Sequence, residues 1–233
     1  MKLCIFVCDT LAAPMQPLYE HYGVMFSRLF EQVGVAPEHV YFDVQKQQYP
    51  QDYQGFDAVL ITGSASDSFS DEPWIVRLRE EVTQLLQQGV KLVGICFGHQ
   101  IISLCLGVPV ERSANGWGAA LEVYEDKSGS EPSASMQLLA SHRDQVQALP
   151  KGAELLLTND HCPIAAYRLG SQVISIQAHP EFDRRYMAHI LDKRRSDYVS
   201  EEFYQRKVAS LNQEHEGVRA AARIHQFVMQ GQW

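Results

Sequence analysis

Short runs of aliphatic and β-branched residues alternate along this chain with longer stretches in which apolar positions recur every three or four residues. The short runs predict strands at Lys2 to Cys8, His39 to Val44, Asp57 to Thr62, Val90 to Ile95, Glu154 to Thr158 and Val173 to Gln177. Between the first two, Leu18, Tyr22, Met25, Leu29 and Val33 form one apolar stripe, which predicts a helix that Gly34 can end. A second helix is predicted after Pro73, a residue suited to a first turn, and stops before Gly89. Residues 126–135, rich in Ser, Gly and Pro, read as an exposed loop within a mostly antiparallel segment. Alternation of this kind predicts an α/β fold: an open, mostly parallel sheet with helices on both faces, an additional antiparallel segment and helices at the C-terminal end.

Composition narrows the function. The 233 residues are 45% hydrophobic and 21% charged, enough to bury a sizeable core without a staple. A net charge of -8 argues against a nucleic-acid binder, because proteins that track phosphates carry an excess of Lys and Arg; a small, roughly neutral or zwitterionic substrate fits better. The charge is uneven. Residues 184–233 hold nine Lys and Arg against six Asp and Glu, whereas residues 1–183 hold 11 against 22. A solvated helical face accounts for this, and a docking surface for an acidic partner is the alternative. Five cysteines without a C-x-x-C pair suggest neither a disulfide framework nor a metal site, and read as free thiols of a cytoplasmic protein. No apolar run approaches a membrane span, and the one at Leu3 to Val7 is too short for a signal segment.

The run Gly94-Ile95-Cys96-Phe97-Gly98 lies where the strand ending at Ile95 meets a helical pattern through Ile101, Ile102, Leu104 and Cys105, closed by Gly107. It has the form of a nucleophile elbow, a strained turn whose flanking glycines leave room for the backbone. The turn sets the sulfur at a helix N-terminus, where dipole and free N–H groups favour the thiolate, and aims the Phe97 N–H at an oxyanion. Cys4, Cys8, Cys105 and Cys162 lack this setting and read as core or inert thiols.

Such a nucleophile needs a base that later protonates the leaving amine. Two of nine histidines have a carboxylate two residues on: His142 with Asp144, and His179 with Glu181. In extended backbone either carboxylate can orient its imidazole, and spacing alone does not choose. His179 closes an apolar strand and precedes Pro180, which biases it toward extended backbone. Chemistry in open α/β sheets gathers beyond the carboxyl ends of strands, where Cys96, His179 and the Thr62-Gly63-Ser64 turn would meet.

The segments Gly94-Ile95-Cys96-Phe97-Gly98-His99-Gln100 and Gln177-Ala178-His179-Pro180-Glu181-Phe182 together resemble the paired signatures of class I glutamine amidotransferases. The run from Ile61 through Trp74-Ile75 resembles their stand-alone, GMP synthase-like branch, and the helical pattern ending in Arg223, Ile224 and Phe227 is similar to that branch's closing helix. The resemblance implies a single flavodoxin-like domain over residues 1–233, with residues 183–233 as a helical extension packed on it. It implies a catalytic triad of Cys96, His179 and Glu181, oxyanion donors at Gly63-Ser64 and Phe97, substrate contact by Gln100, and neither metal nor cofactor. The activity implied is hydrolysis of the γ-glutamyl amide of L-glutamine through a cysteine thioester, with ammonia passed to a synthetase subunit. A γ-glutamyl peptidase is one alternative; a non-catalytic regulatory or binding protein is another. The loop Thr62-Gly63-Ser64-Ala65 departs from the family pattern, in which two consecutive glycines are commonly followed by proline.

Overall fold

Apolar runs and amphipathic stretches alternate as helices and strands in the computed structural model of the chain, which describes residues 1–36, 38–129 and 134–233. The first part comprises β1 (Lys2–Val7), α1 (Gln16–Tyr19), α2 (Tyr22–Glu31), β2 (Glu38–Asp43), β3 (Ala58–Ile61), α3 (Pro73–Gln87), β4 (Leu92–Ile95) and α4 (Phe97–Cys105). The middle is antiparallel: β5 (Val110–Arg112), β6 (Gly118–Asp126), β7 (Ser135–His142), β8 (Asp144–Val146), β9 (Glu154–Thr158) and β10 (Ala166–Leu169). Then come β11 (Val173–Ile176), α5 (Arg184–Lys193), α6 (Glu201–Ser210) and α7 (Gly217–Gln230).

Nine strands form one sheet in the order β2-β1-β3-β4-β11-β10-β9-β6-β7, while β5 and β8 pair separately. The five strands from β2 to β11 in this order run parallel, and the other four are antiparallel to their neighbours. Residues of β1 point alternately to two cores. Leu3 and Ile5 join Phe26, Ile224 and Phe227 on one face, and Cys4 and Phe6 join Trp74, Leu78 and Ile101 on the other. Helices therefore cover both faces, as the near-continuous apolar strands require. The antiparallel half curls back: Leu139 of β7 pairs with His179, just beyond the central strand β11.

Several boundaries differ from those predicted. The helix expected through Leu18 to Val33 is broken at Glu20, whose φ of 61° no continuing helix accepts. Arg28 covers the break, donating to the Leu18 carbonyl at 2.6 Å and pairing with Glu20 at 2.8 Å. Val90 belongs to a helix end rather than to β4. Its N–H donates to Leu85 O at 3.0 Å, past a left-handed Gly89. The exposed loop expected over residues 126–135 is also shorter than expected. Asp126 ends β6 with its side chain fully buried, 2.7 Å from Arg223 of α7, and Ser135 begins β7; residues 130–133 lie outside the described ones. Among the described residues no helix is long and apolar enough to cross a membrane.

Candidate active site

Strands β1, β3, β4 and β11 are neighbours in the sheet, and their carboxyl ends deliver Asp9, Gly63-Ser64, Cys96 and His179 to one edge. Cys96 takes φ 50° and ψ -99° between β4 and α4, a backbone conformation that costs about 1–3 kcal/mol for a residue with a side chain. Its N–H donates to Ile176 O at 2.8 Å and its carbonyl accepts from Gln100 at 3.1 Å, so both neighbouring elements hold the turn. The flanking glycines are there for close approach. A Cβ on Gly98 would lie 2.3 Å from Ile61 O, and one on Gly94 would lie 2.7 Å from Gly98 O. The start of α4 is thus pressed onto β3, and its first N–H groups, Phe97 among them, have no acceptor within the helix. The Phe97 ring itself packs away from the edge, 5.6 Å from Trp74.

His179 reaches the same edge from beyond β11. Its N–H donates to Leu139 O at 2.8 Å, and Phe182 N–H returns to His179 O at 3.4 Å. The imidazole and the Glu181 carboxylate therefore meet across a Pro180-Glu181 turn rather than along extended backbone, with Nδ1 and Oε1 2.7 Å apart. The Phe182 ring lies parallel on the imidazole, 3.9 Å between centroids, and fixes its plane. Burial alone would pull the imidazole down, but the charges of Glu181 and Cys96 and hydrogen bonds to both outweigh it and push His179 up to about 10. An imidazolium beside the sulfur is the favoured state near neutrality. The other candidate pair does not form: the Asp144 carboxylate pairs with Arg112 at 3.3 Å, and neither ring nitrogen of His142 has a partner among the described residues.

The loop after β3 closes over this pair. A Cβ on Gly63 would sit 2.6 Å from His179 Cε1, so only glycine lets the imidazole come this near. Among the described residues the Ser64 N–H donates to no acceptor, while the next amide, Ala65 N–H, donates to Asp9 Oδ2 at 2.7 Å. The second Asp9 oxygen accepts Thr10 N–H, also at 2.7 Å. Gln177 Nε2 lies 3.5 Å from the Cys96 sulfur, and Gln100 Nε2 donates to Asp144 O at 2.9 Å.

Two cavities meet at this edge. One of about 190 Å³ is lined by Cys96, Gln100, Arg112, Trp117, His142 and Asp144. The other, of about 110 Å³, is lined by Gly63, His179, Phe182, Tyr186 and Lys193 among others; Ser64, Ala65, Ser141 and Arg194 border both. All seven predicted site residues thus converge, Phe97 through its backbone. Asp9, Gln177, Phe182, Arg112 and Arg194 were not predicted. Gln177 and Phe182 stand inside the quoted motif and Asp9 follows a predicted strand, so position could have found them; Arg112 and Arg194 arrive only through tertiary packing. Among the described residues no group of three or more His, Cys, Asp or Glu could hold a metal ion.

Residues 18–194 match the family described as glutamine amidotransferase class-I. The chain is 31% identical over 204 residues to γ-glutamyl peptidase 3 of Arabidopsis thaliana, covering 82% of this chain and 81% of that protein. It is 28% identical over 172 residues to the glutamine-hydrolyzing GMP synthase of Cellvibrio japonicus, covering 69% of this chain but 31% of that one. Its fold is that of a glutamine amidotransferase from Thermotoga maritima, with a TM-score of 0.75 and 16% identity over 97% of both chains.

Proposed function

Because the chain belongs to the class I glutamine amidotransferase family, we propose that it hydrolyses γ-glutamyl amide bonds through a thioester on Cys96. The observation that carries this reading is the 2.7 Å His179–Glu181 pair facing a cysteine at a strained elbow. In this reading the Cys96 thiolate attacks the γ-carbonyl carbon, forming a C–S bond, and the carbonyl oxygen takes up the negative charge. The Phe97 and Ser64 N–H groups receive that oxyanion, each such donor being worth about 2.7–4 kcal/mol of barrier. As the C–N bond breaks, the proton of the His179 imidazolium passes to the departing amine. A water molecule then gives a proton back to His179, its oxygen bonds to the γ-carbon, and the C–S bond breaks to release glutamate and Cys96. Glu181 holds the imidazole's tautomer and orientation throughout. Gln100 and Arg112 stand where the glutamyl group would lie.

With glutamine the amine is ammonia, and a synthetase subunit would be its acceptor. A second reading, a γ-glutamyl peptidase whose leaving group is an amino acid or peptide, is favoured by a match that spans 81% of the Arabidopsis peptidase, against a GMP synthase match spanning under a third of that longer protein. The intact site argues against a non-catalytic role. A mass-spectrometric screen with glutamine and a panel of γ-glutamyl amides and peptides tests the proposal. Glutamate release by the wild type, its absence with Cys96→Ala and a γ-glutamyl adduct on Cys96 are expected. Hydrolysis that survives Cys96→Ala would refute it.

A further inference from the structure

We infer that the cavity beside His179 is a leaving-group subsite built for an amine that carries a carboxylate, an amino acid or short peptide. This rests on the reading of Cys96 as nucleophile and His179 as the acid that protonates the leaving amine. The two cavities are divided by the residues that would do the chemistry: Cys96 lines the first and His179 the second. An acid must face the group it protonates, so the glutamyl portion belongs in the cavity of Cys96, Gln100 and Arg112, and the amine departs into that of His179.

Size argues against ammonia as the ligand for which this second cavity is shaped. It offers about 110 Å³, where roughly 10–15 Å³ suffices for one water-sized molecule. Asp9 and Thr10, which line it, also line a further depression of about 390 Å³.

The charges in this cavity point to an anion. Among the described residues Asp9 is the only carboxylate that lines it, and both Asp9 oxygens already accept backbone N–H groups. Lys193, exposed in the last turn of α5, makes no ion pair among the described residues. Arg194 follows it, its guanidinium 4.3 Å from the Trp117 ring, with Asp197 only at 3.9 Å. Lys193, with no ion pair among the described residues, and Arg194, whose pairing with Asp197 is long, therefore overlook the exit of the amine, which suits the terminal carboxylate of an amino acid or peptide. Tyr22 and Tyr186 bond each other through their hydroxyls at 2.7 Å and, with Ala12, Phe182 and Ile190, add apolar surface to a lining that is otherwise mostly polar.

A matched substrate pair tests the inference: γ-glutamyl-alanine against γ-glutamyl-alaninamide, which differ only in the carboxylate of the leaving group. The wild type should prefer the free carboxylate by about tenfold in kcat/KM, and Lys193→Glu should erase or reverse that preference. Arg194→Gln provides a second variant that removes the charge but keeps a polar side chain, and it should lower the preference as well. Cleavage that depends on Cys96 but shows no preference in the wild type would overturn the subsite while leaving the proposed hydrolysis intact. A preference that survives both variants would overturn the assignment of the two cations. Failure to cleave any γ-glutamyl compound would overturn the hydrolysis itself, and the subsite with it.

Discussion

The Asp9 carboxylate accepts the backbone N–H of Ala65 at 2.7 Å and so ties the end of β1 to the loop that carries Gly63 and Ser64. Proline, common at this position in the family, has no N–H to offer, so here an ionic hydrogen bond takes over the stiffening that a ring would supply. Asp9→Asn should lower kcat for γ-glutamyl substrates about ten- to a hundredfold, with a smaller effect on KM, because the loop donor matters chiefly in the transition state. Alkylation of Cys96 by iodoacetamide, which needs no oxyanion donor, should proceed at an unchanged rate. An equal fall in both rates would place Asp9's influence on the thiol instead.

A glutamine-mimicking electrophile should label Cys96 alone. Burial pushes the other four thiols up, Cys162 to about 12, and leaves them without a helix-terminal elbow. Peptide mapping after labelling makes the check, and modification chiefly at Cys105 or Cys162 would count against the assignment.

His179→Ala should abolish turnover, whereas His142→Ala should leave it within roughly tenfold, about 1.4 kcal/mol. The geometry gives the reason: only His179 has a carboxylate on its Nδ1. Circular dichroism must show both variants folded. The opposite ranking would mean that the wrong histidine has been chosen.

Gly98→Ala should destabilise the fold by about 2 kcal/mol or more, since the new methyl would press on the Ile61 carbonyl, a backbone atom that cannot rotate away. Urea titration would reveal this as a lower midpoint. A midpoint equal to the wild type's would show that α4 can lift off β3 without cost.

Stability should peak near pH 6.5 and fall on both sides. Burial holds His99 and His142 down to about 3, so below 6.5 the unfolded chain binds protons that the folded one refuses, and stability is lost as the pH falls from 6.5 toward 3. His179 has the opposite sign. Its raised value makes its contribution complete below 6.5 and lost as the pH rises from there toward 10. Each limb should approach about 1.4 kcal/mol per pH unit per histidine. Urea midpoints at pH 5, 6.5 and 8.5 would show the curve, and a flat profile from pH 7 to 5 would contradict neutral burial of the two core histidines.

The parallel strands were legible because strands buried on both faces leave unbroken apolar runs, as in Ala58 to Ile61 and Leu92 to Ile95. The elbow was legible because strain demands small neighbours, which a motif preserves. Helix ends were less so: the break at Glu20 is covered by Arg28, eight residues on, and no local pattern announces it. Arg112, Lys193 and Arg194 were invisible as site residues because they reach the edge from β5 and the end of α5, elements whose placement depends on the whole sheet.

The Leu139–His179 bridge sets an order on assembly. The turn at Cys96 needs little beyond β4, α4 and their immediate neighbours in the sheet, but the imidazole of His179 hangs from a strand forty residues earlier in the chain. That strand, β7, is itself moored to the last helix, where Gln137 and Glu216 exchange backbone and side-chain hydrogen bonds at 2.7 and 2.8 Å. Ordering so distant a contact demands closure of a long loop, which slows folding. A ribosome-bound chain still lacking α7 would therefore already carry its cysteine while its histidine waited for that helix to dock, and the thiol would stay unpartnered until then.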